Sequence, residues 1–255
     1  MERRRTRVGV SALAVAAFIG GWALASRGSD PTLLPGPAQT VRAAHELWQD
    51  GTLLPAIGIS LRRIALGWIL GCAIAVPLGL IAGISPVGRS VIDPFIHFFR
   101  FIPAIALTSL FILWFGIGES SKVYLVAYAA GFIVTVNTAA GAAAVPADKL
   151  SAARCVGASR IATLTTVTIP ATVPHIFTGM RLALANAFLV IVAAEALATQ
   201  SGLGYLIWNS RIYFRTDQIF VGILFLGALG FVADRLWKLV GRTLLRRFMF
   251  TAGTY

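Results

Sequence analysis

Charge is what this sequence has least of. Asp, Glu, Lys and Arg make up 13% of its 255 residues, hydrophobic residues make up 57%, and mean hydropathy is +0.80. A soluble domain is typically about a quarter charged, so this composition excludes that class and points to an integral membrane protein. Acidic residues are the scarcer sign, ten against 22 basic ones, for a net charge of +12. The basic residues share no polar face or motif and stand instead at the ends of apolar runs. The surplus therefore reads as membrane topology and not as nucleic-acid binding. Cysteine is rarer still. Cys72 and Cys155 stand far apart with no CxxC companion, which removes a metal cluster and leaves two buried free thiols as the expectation. His45, His97 and His175 fall in no HExxH or Ser–His arrangement, so no intramembrane protease is indicated. No Gly-rich loop is followed by Lys-Ser/Thr. The chain is thus expected to be no enzyme and to carry no cofactor or metal of its own.

Long apolar runs are what it has in abundance. A bilayer crossing takes about 20 apolar residues, and six runs approach or exceed that: Val8–Ala25, Leu61–Ile84, Phe101–Ile117, Val123–Val145, Ile176–Ala198 and Ile219–Val240. The first follows "MERRRTR" and ends in Ala23-Leu24-Ala25, which imitates a cleaved leader. Its apolar stretch is longer than the roughly 7–15 residues of a leader, so an uncleaved first transmembrane helix is expected. The last is the weakest, with Asp234, Arg235 and Lys238 near its end. With the N-terminus placed in the cytoplasm, the inside segments hold Arg3, Arg4, Arg5, Arg7, Arg89, Arg100, Lys149, Arg154, Arg160, Arg181, Arg235, Lys238, Arg242, Arg246 and Arg247. The outside keeps Arg27, Arg42, Arg62, Arg63, Lys122, Arg211 and Arg215. That bias puts both termini and the 146–175 connection on the cytoplasmic side. The resulting division is a cytoplasmic start and first helix (1–25), an external segment with a short surface helix near Ala38–Trp48 (26–60), a five-helix core (61–240) and a cytoplasmic tail (241–255).

Small residues recur at every fourth position of the second run: Gly67, Gly71, Ala75, Gly79 and Gly83. Such a ridge lets two helix backbones approach closely where lipid provides no hydrophobic drive between helices, and it argues for a multi-helix bundle bent at Pro77.

Between the fourth and fifth runs lies "SAARCVGASRIATLTTVTIPATVP", Ser151 to Pro174. A turn between helices needs only about two to eight residues, so this length implies a task. The pattern reads as two short amphipathic helices. Gly157 permits a sharp turn between them, and Pro170 and Pro174 stop the second before the next span. Ile161, Leu164 and Val167 share one face. Such a surface suits docking into a cytoplasmic partner.

Ser151-Ala152-Ala153, three residues, Gly157, nine residues, Val167-Thr168-Ile169-Pro170 resembles the EAA loop of permease subunits in ABC importers. In that family the loop forms coupling helices that fit into the ATP-binding subunit. Ser151 departs from the pattern, standing where the acidic residue belongs, with Asp148 one turn earlier. The stretches "ILWFGIG", "IFTGMRLAL" and "SGLGYLI" occur in the same order as in the branch that imports nitrate, taurine, aliphatic sulfonates and bicarbonate. The resemblance implies an all-α integral membrane subunit with six transmembrane helices, a type I importer permease fold and cytoplasmic coupling helices. It also implies a bacterial inner-membrane location, a second permease copy, cytoplasmic ATPase subunits that hold ATP and Mg, and an external binding protein. The coupling residues carried over are Ser151, Ala152, Ala153, Arg154, Gly157, Arg160, Ile169 and Pro170.

Polar residues within spans are costly, so each is a functional candidate. Asn137 and Asn186 are neutral donors that fit either a pathway or interhelical hydrogen bonding. Glu195 fits a pathway or an ion pair with an outer arginine such as Arg211, and a carboxylate on the path would repel an anion. Arg62 and Arg63 fit attraction of anions or snorkelling to headgroups. The expected function is transport of a small anion driven by a partner ATPase through the 151–170 loop. The alternative, a self-contained secondary transporter or channel, calls for repeats and coupling carboxylates, of which only Glu195 lies well inside a span.

Overall fold

The structure is a computed structural model and describes residues 2–244. The tail expected from 241 onward falls mostly outside them, as do Arg246, Arg247 and the side chains of Arg3, Arg4, Arg5 and Arg7. Every regular element among the described residues is helical. In chain order these are α1 (Glu2–Arg27), α2 (Pro37–Gln49), α3 (Leu53–Ile84), α4 (Pro86–Phe99), α5 (Thr108–Phe115), α6 (Glu119–Ala143), α7 (Ala147–Cys155), α8 (Arg160–Thr163), α9 (Ile169–Ala198), α10 (Leu203–Ile212) and α11 (Thr216–Leu244). A 3₁₀ turn at Ala104–Leu107 leads into α5, and a π turn at Leu164–Thr168 joins α8 to α9.

Helices α3, α6, α11 and the run Arg160–Leu197 are long and apolar enough to cross a bilayer. Helix α1 has 26 residues, but it opens on the charged stretch ERRRTR, and its apolar part, Ala12–Arg27, is shorter than those four. It sits at the margin, tied by Trp22, which stacks on Phe220 at 5.6 Å and donates to the Pro35 carbonyl at 2.9 Å.

The third crossing is a correction to the expected Phe101–Ile117 run. Helix α4 starts 15 residues earlier, at Pro86, and the pair α4 and Ala104–Phe115 bends by 86°. Pro103 has no amide to donate and biases Ile102 away from helix, so the chain breaks there. The Phe99 carbonyl accepts instead from the Ile102 amide at 3.0 Å and from the Tyr128 hydroxyl of α6 at 2.9 Å. Tyr128 lies nine residues into α6, about 13 Å from its start, so the break falls partway along α6, on an open side of the bundle where Phe99, Arg100 and Phe101 are exposed. Arg100, expected at the cytoplasmic edge, therefore stands at the break.

The ridge of small residues on α3 lies against α6. A Cβ on Gly67 would come within 2.6 Å of Val126 Cβ, on Gly71 within 2.6 Å of the Ala127 carbonyl oxygen, and on Gly83 within 2.5 Å of Ala142 Cβ. Helix α9 closes the third side, and Ile64, Val126, Ala187 and Ile191 meet in the centre. At the end of the bundle where α6 begins, Ala43 and Leu47 of α2 pack on Leu203 and Leu206 of α10 and Val221 of α11. The surface helix expected near Ala38–Trp48 is this α2. Pro37 occupies its first turn, where the missing amide costs nothing.

Pro170 and Pro174 do not stop a second short helix. The chain is continuous from Arg160 to Leu197, and Pro174 lies inside α9. Pro170 sits in the first turn after the π bulge, where the wider register already leaves carbonyls without amide partners. Interior proline is tolerated in a membrane helix when packing holds both halves.

Candidate functional site

Three places gather the polar and exposed features that a packed bundle does not need. The first is the α6–α9 connection. Helix α7 carries Asp148 in its first turn and Arg154 in its last, the signs that its dipole favours. It ends in a Schellman cap: the Gly157 amide donates to the Arg154 carbonyl at 2.9 Å and the Ala158 amide to the Ala153 carbonyl at 3.0 Å. That cap requires a left-handed residue, and Gly157 supplies it at φ +77. Ser159 then caps α8, its hydroxyl accepting from the Ala162 amide at 3.1 Å. Ser151, Ala152, Arg154, Gly157 and Arg160 are exposed, whereas Ala153 is half-buried. Ile169 and Pro170 are half-buried within the start of α9, away from that exposed group. The expected single face of Ile161, Leu164 and Val167 is not one exposed surface. Ile161 is 75% exposed beside Val156 at 83%, while Leu164 and Val167 turn partly inward. Cys155 is exposed, contrary to expectation, and Cys72 is buried.

The second place is a cavity of about 720 Å³ between the α4–α5 break, α6 and α9. Asn137 and Asn186 both line it, with Arg100, Phe101 and Leu189. The Asn137 amide nitrogen donates to the Ile133 carbonyl of its own helix at 2.8 Å. Its Cβ rests over Gly179, where any side chain would collide with it. The Arg100 guanidinium lies 4.8 Å from the Phe101 ring centroid. No acidic residue lines the cavity.

The third place is a buried ion-pair network. Glu195, fully buried, does not line that cavity and pairs with Arg63, itself 2% exposed, at 2.8 Å. The expected partner Arg211 instead covers the Trp208 ring at 5.0 Å. Snorkelling does not describe Arg63, although Arg62 beside it is exposed. The Arg63 guanidinium also binds both oxygens of the half-exposed Glu119 and donates to the Ser201 carbonyl at 2.9 Å. Ser60 donates to Glu195 at 2.8 Å and accepts from the Leu203 amide at 2.9 Å, and the Gly204 amide donates to Glu195 at 2.8 Å. The "SGLGYL" stretch is thus the wrapping of a buried carboxylate. Gly202, at φ +105, leaves no room for a side chain beside it.

The chain matches, over residues 75–246, the family described as binding-protein-dependent transport system inner membrane component. It is 38% identical to a protein of Brucella melitensis named as an ABC transporter permease, over 96% of this chain and 99% of that one. It is 36% identical to a Bacillus subtilis protein named as an aliphatic sulfonates transport permease, over 92% and 83%. Its fold matches a chain of the MetNI methionine ABC transporter in an inward-facing conformation, with a TM-score of 0.61 over 74% of this chain and 95% of that one at 18% identity.

Proposed function

The chain belongs to the inner-membrane components of binding-protein-dependent transport systems, the permeases of ABC importers, and from that premise we propose that it moves a small anion along the cavity lined by Arg100, Asn137 and Asn186. The observation that carries this reading is the charge of that cavity. Its walls present one guanidinium and two amides, while the nearest deeply buried carboxylate, Glu195, is neutralised by Arg63. Sulfonates, taurine, nitrate and bicarbonate fit such a path. A cation would meet only repulsion at Arg100.

In the complete transporter a second copy closes the open side of the cavity, and an external binding protein delivers the anion at the Glu119 end. Both termini and the 146–175 connection are cytoplasmic. Two ATPase subunits, holding ATP and Mg, dock on the exposed loop from Ser151 to Arg160, with Val156 and Ile161 as their apolar contacts. ATPase closure pushes α7. Because α8, the π turn and α9 are continuous, the push passes into the helix that carries Asn186, and the path opens alternately to the two sides.

Two variants test this. Arg100→Glu reverses the charge in the cavity and is expected to lower uptake of methanesulfonate, taurine, nitrate and bicarbonate by about ten-fold or more in reconstituted vesicles. Uptake undiminished for all four would remove the cavity from the path. Gly157→Val forces a β-branched residue into the left-handed region, at about 1–2 kcal/mol, with nothing within 4 Å to clash. Membrane insertion and melting of the permease are expected to persist while ATPase co-purification and ATP-driven uptake fall. Retention of both would refute the coupling role of the loop.

A further inference from the structure

The loop has a second side. Facing the bundle, it roofs a cavity of about 720 Å³ whose walls include Gly83, Ala142, Thr163, Thr168, Arg154 and Arg160. Gly83 and Ala142 belong to the interlocked ends of α3 and α6, so the floor is small and close-packed. Neither guanidinium has a carboxylate partner among the described residues. The sequence accounts for that. An acid at position 151 would stand one turn before Arg154 and within pairing reach, but Ser151 occupies it. Val156 and Ile161, the most exposed apolar residues of the loop, are not among the walls. The loop therefore keeps its exposed apolar pair off the cavity, while its two unpaired arginines, exposed at the loop surface, also line the cavity mouth.

We propose that this inward cavity is a second anion site, taking an oxyanion group (sulfate, sulfonate or phosphate) between Arg154 and Arg160. Two guanidiniums offer planar, forked donors that match oxyanion edges. The volume exceeds what one bare oxyanion fills, so the group enters hydrated or attached to a larger molecule. It arrives either free from the cytosol or as the head group of a phospholipid. The site is separate from the central cavity, which shares none of these walls, and it goes beyond the transport reading. An anion bridging α7 and α8 ties the coupling loop to the ends of α3 and α6. Its occupancy then sets how freely the loop moves.

The test is calorimetric titration of the permease–ATPase complex, carrying Arg100→Glu to silence the central cavity, in phosphatidylcholine nanodiscs. Sulfate, phosphate and methanesulfonate are titrated at constant ionic strength, and a parallel set of discs contains phosphatidylglycerol. The expected result is saturable binding that Arg154→Gln and Arg160→Gln each weaken about ten-fold or more, one charge-assisted contact's worth, while Val41→Ser, on the exposed face of α2 at the other end of the bundle, leaves it unchanged. A lipid source shows as sulfate binding suppressed in the phosphatidylglycerol discs, a cytosolic source as binding equal in both. Absence of saturable binding in phosphatidylcholine discs overturns the site, as does binding indifferent to both glutamines. So does loss of ATPase association in the glutamine variants without any anion effect, which would assign the two arginines to the protein partner. Because the readout is equilibrium binding, its failure leaves the uptake tests of the central cavity untouched.

Discussion

Replacing Arg63 with methionine is expected to destabilise the permease by about 3–5 kcal/mol, the cost of removing one partner of a buried ion pair. Glu195 has no exposed surface, so without Arg63 its carboxylate keeps only the Ser60 hydroxyl and the Gly204 amide. Water cannot reach it unless α10 lifts away. The two carboxylates that share Arg63 differ in this respect. Glu119 is half-exposed and can rehydrate, so Glu119→Gln is expected to cost about 1 kcal/mol or less. Combining Arg63→Met with Glu195→Gln removes both charges of that pair, leaving Lys122 held by the Ile117 and Gly118 carbonyls, and is expected to recover much of the loss. Melting of the purified permease in one detergent reads all three. An Arg63→Met protein that melts with wild type would mean that Glu195 is solvated or protonated in the membrane. The network joins α3, α6, α9 and α10, so loss of order should begin at the Glu119 end of the bundle, visible as faster amide exchange from Leu203 onward.

How much of this was legible in the sequence follows the range of the interactions. Hydropathy located the crossings because burial in lipid is a property of consecutive residues. The four-residue spacing on α3 and the glycine turn at position 157 were legible for the same reason: each is a local geometric demand on one or two residues. The break at Phe99–Pro103 was not, because the apolar run Phe101–Ile117 hides the start of the crossing at Pro86 and Arg100 reads as an edge residue. A charged residue immediately before an apolar stretch and three before a proline is the signal that would have flagged it. The partner of Glu195 was illegible in a stronger sense. Arg63 lies 132 positions away, Arg211 only 16, and nothing in either local pattern says which one turns inward. Only "SGLGYL", as a family-like stretch, hinted that the backbone there has a structural duty. The continuity through Pro170 and Pro174 was also missed, since a π turn has no recognised sequence signature and two prolines read as a stop. That continuity matters most for the proposed mechanism, because it makes α8 the first turn of the helix that lines the cavity.

The interlock of α3 and α6 makes the sharpest remaining prediction, because one helix contains its own control. At Gly71 an added Cβ would lie 2.6 Å from the Ala127 carbonyl oxygen and 3.1 Å from its Cα. Those are backbone atoms, so α6 must move bodily. Gly71→Ala is expected to cost about 1–3 kcal/mol by overpacking. Gly71→Leu, whose side chain has no exit between two helices in contact, is expected to prevent the folded bundle from accumulating at all. Gly58 lies in the same helix with nothing within 4 Å of its Cβ position. There alanine meets no obstacle and gains the helix propensity that glycine lacks, about 0.5–1 kcal/mol in the stabilising direction. The two alanine variants should therefore shift the melting midpoint in opposite senses, although hydropathy and propensity alone predict the same sign for both. If Gly71→Ala instead melts above wild type alongside Gly58→Ala, the ridge is not a packing seam, and the close approach that floors the cavity beneath the coupling loop is absent.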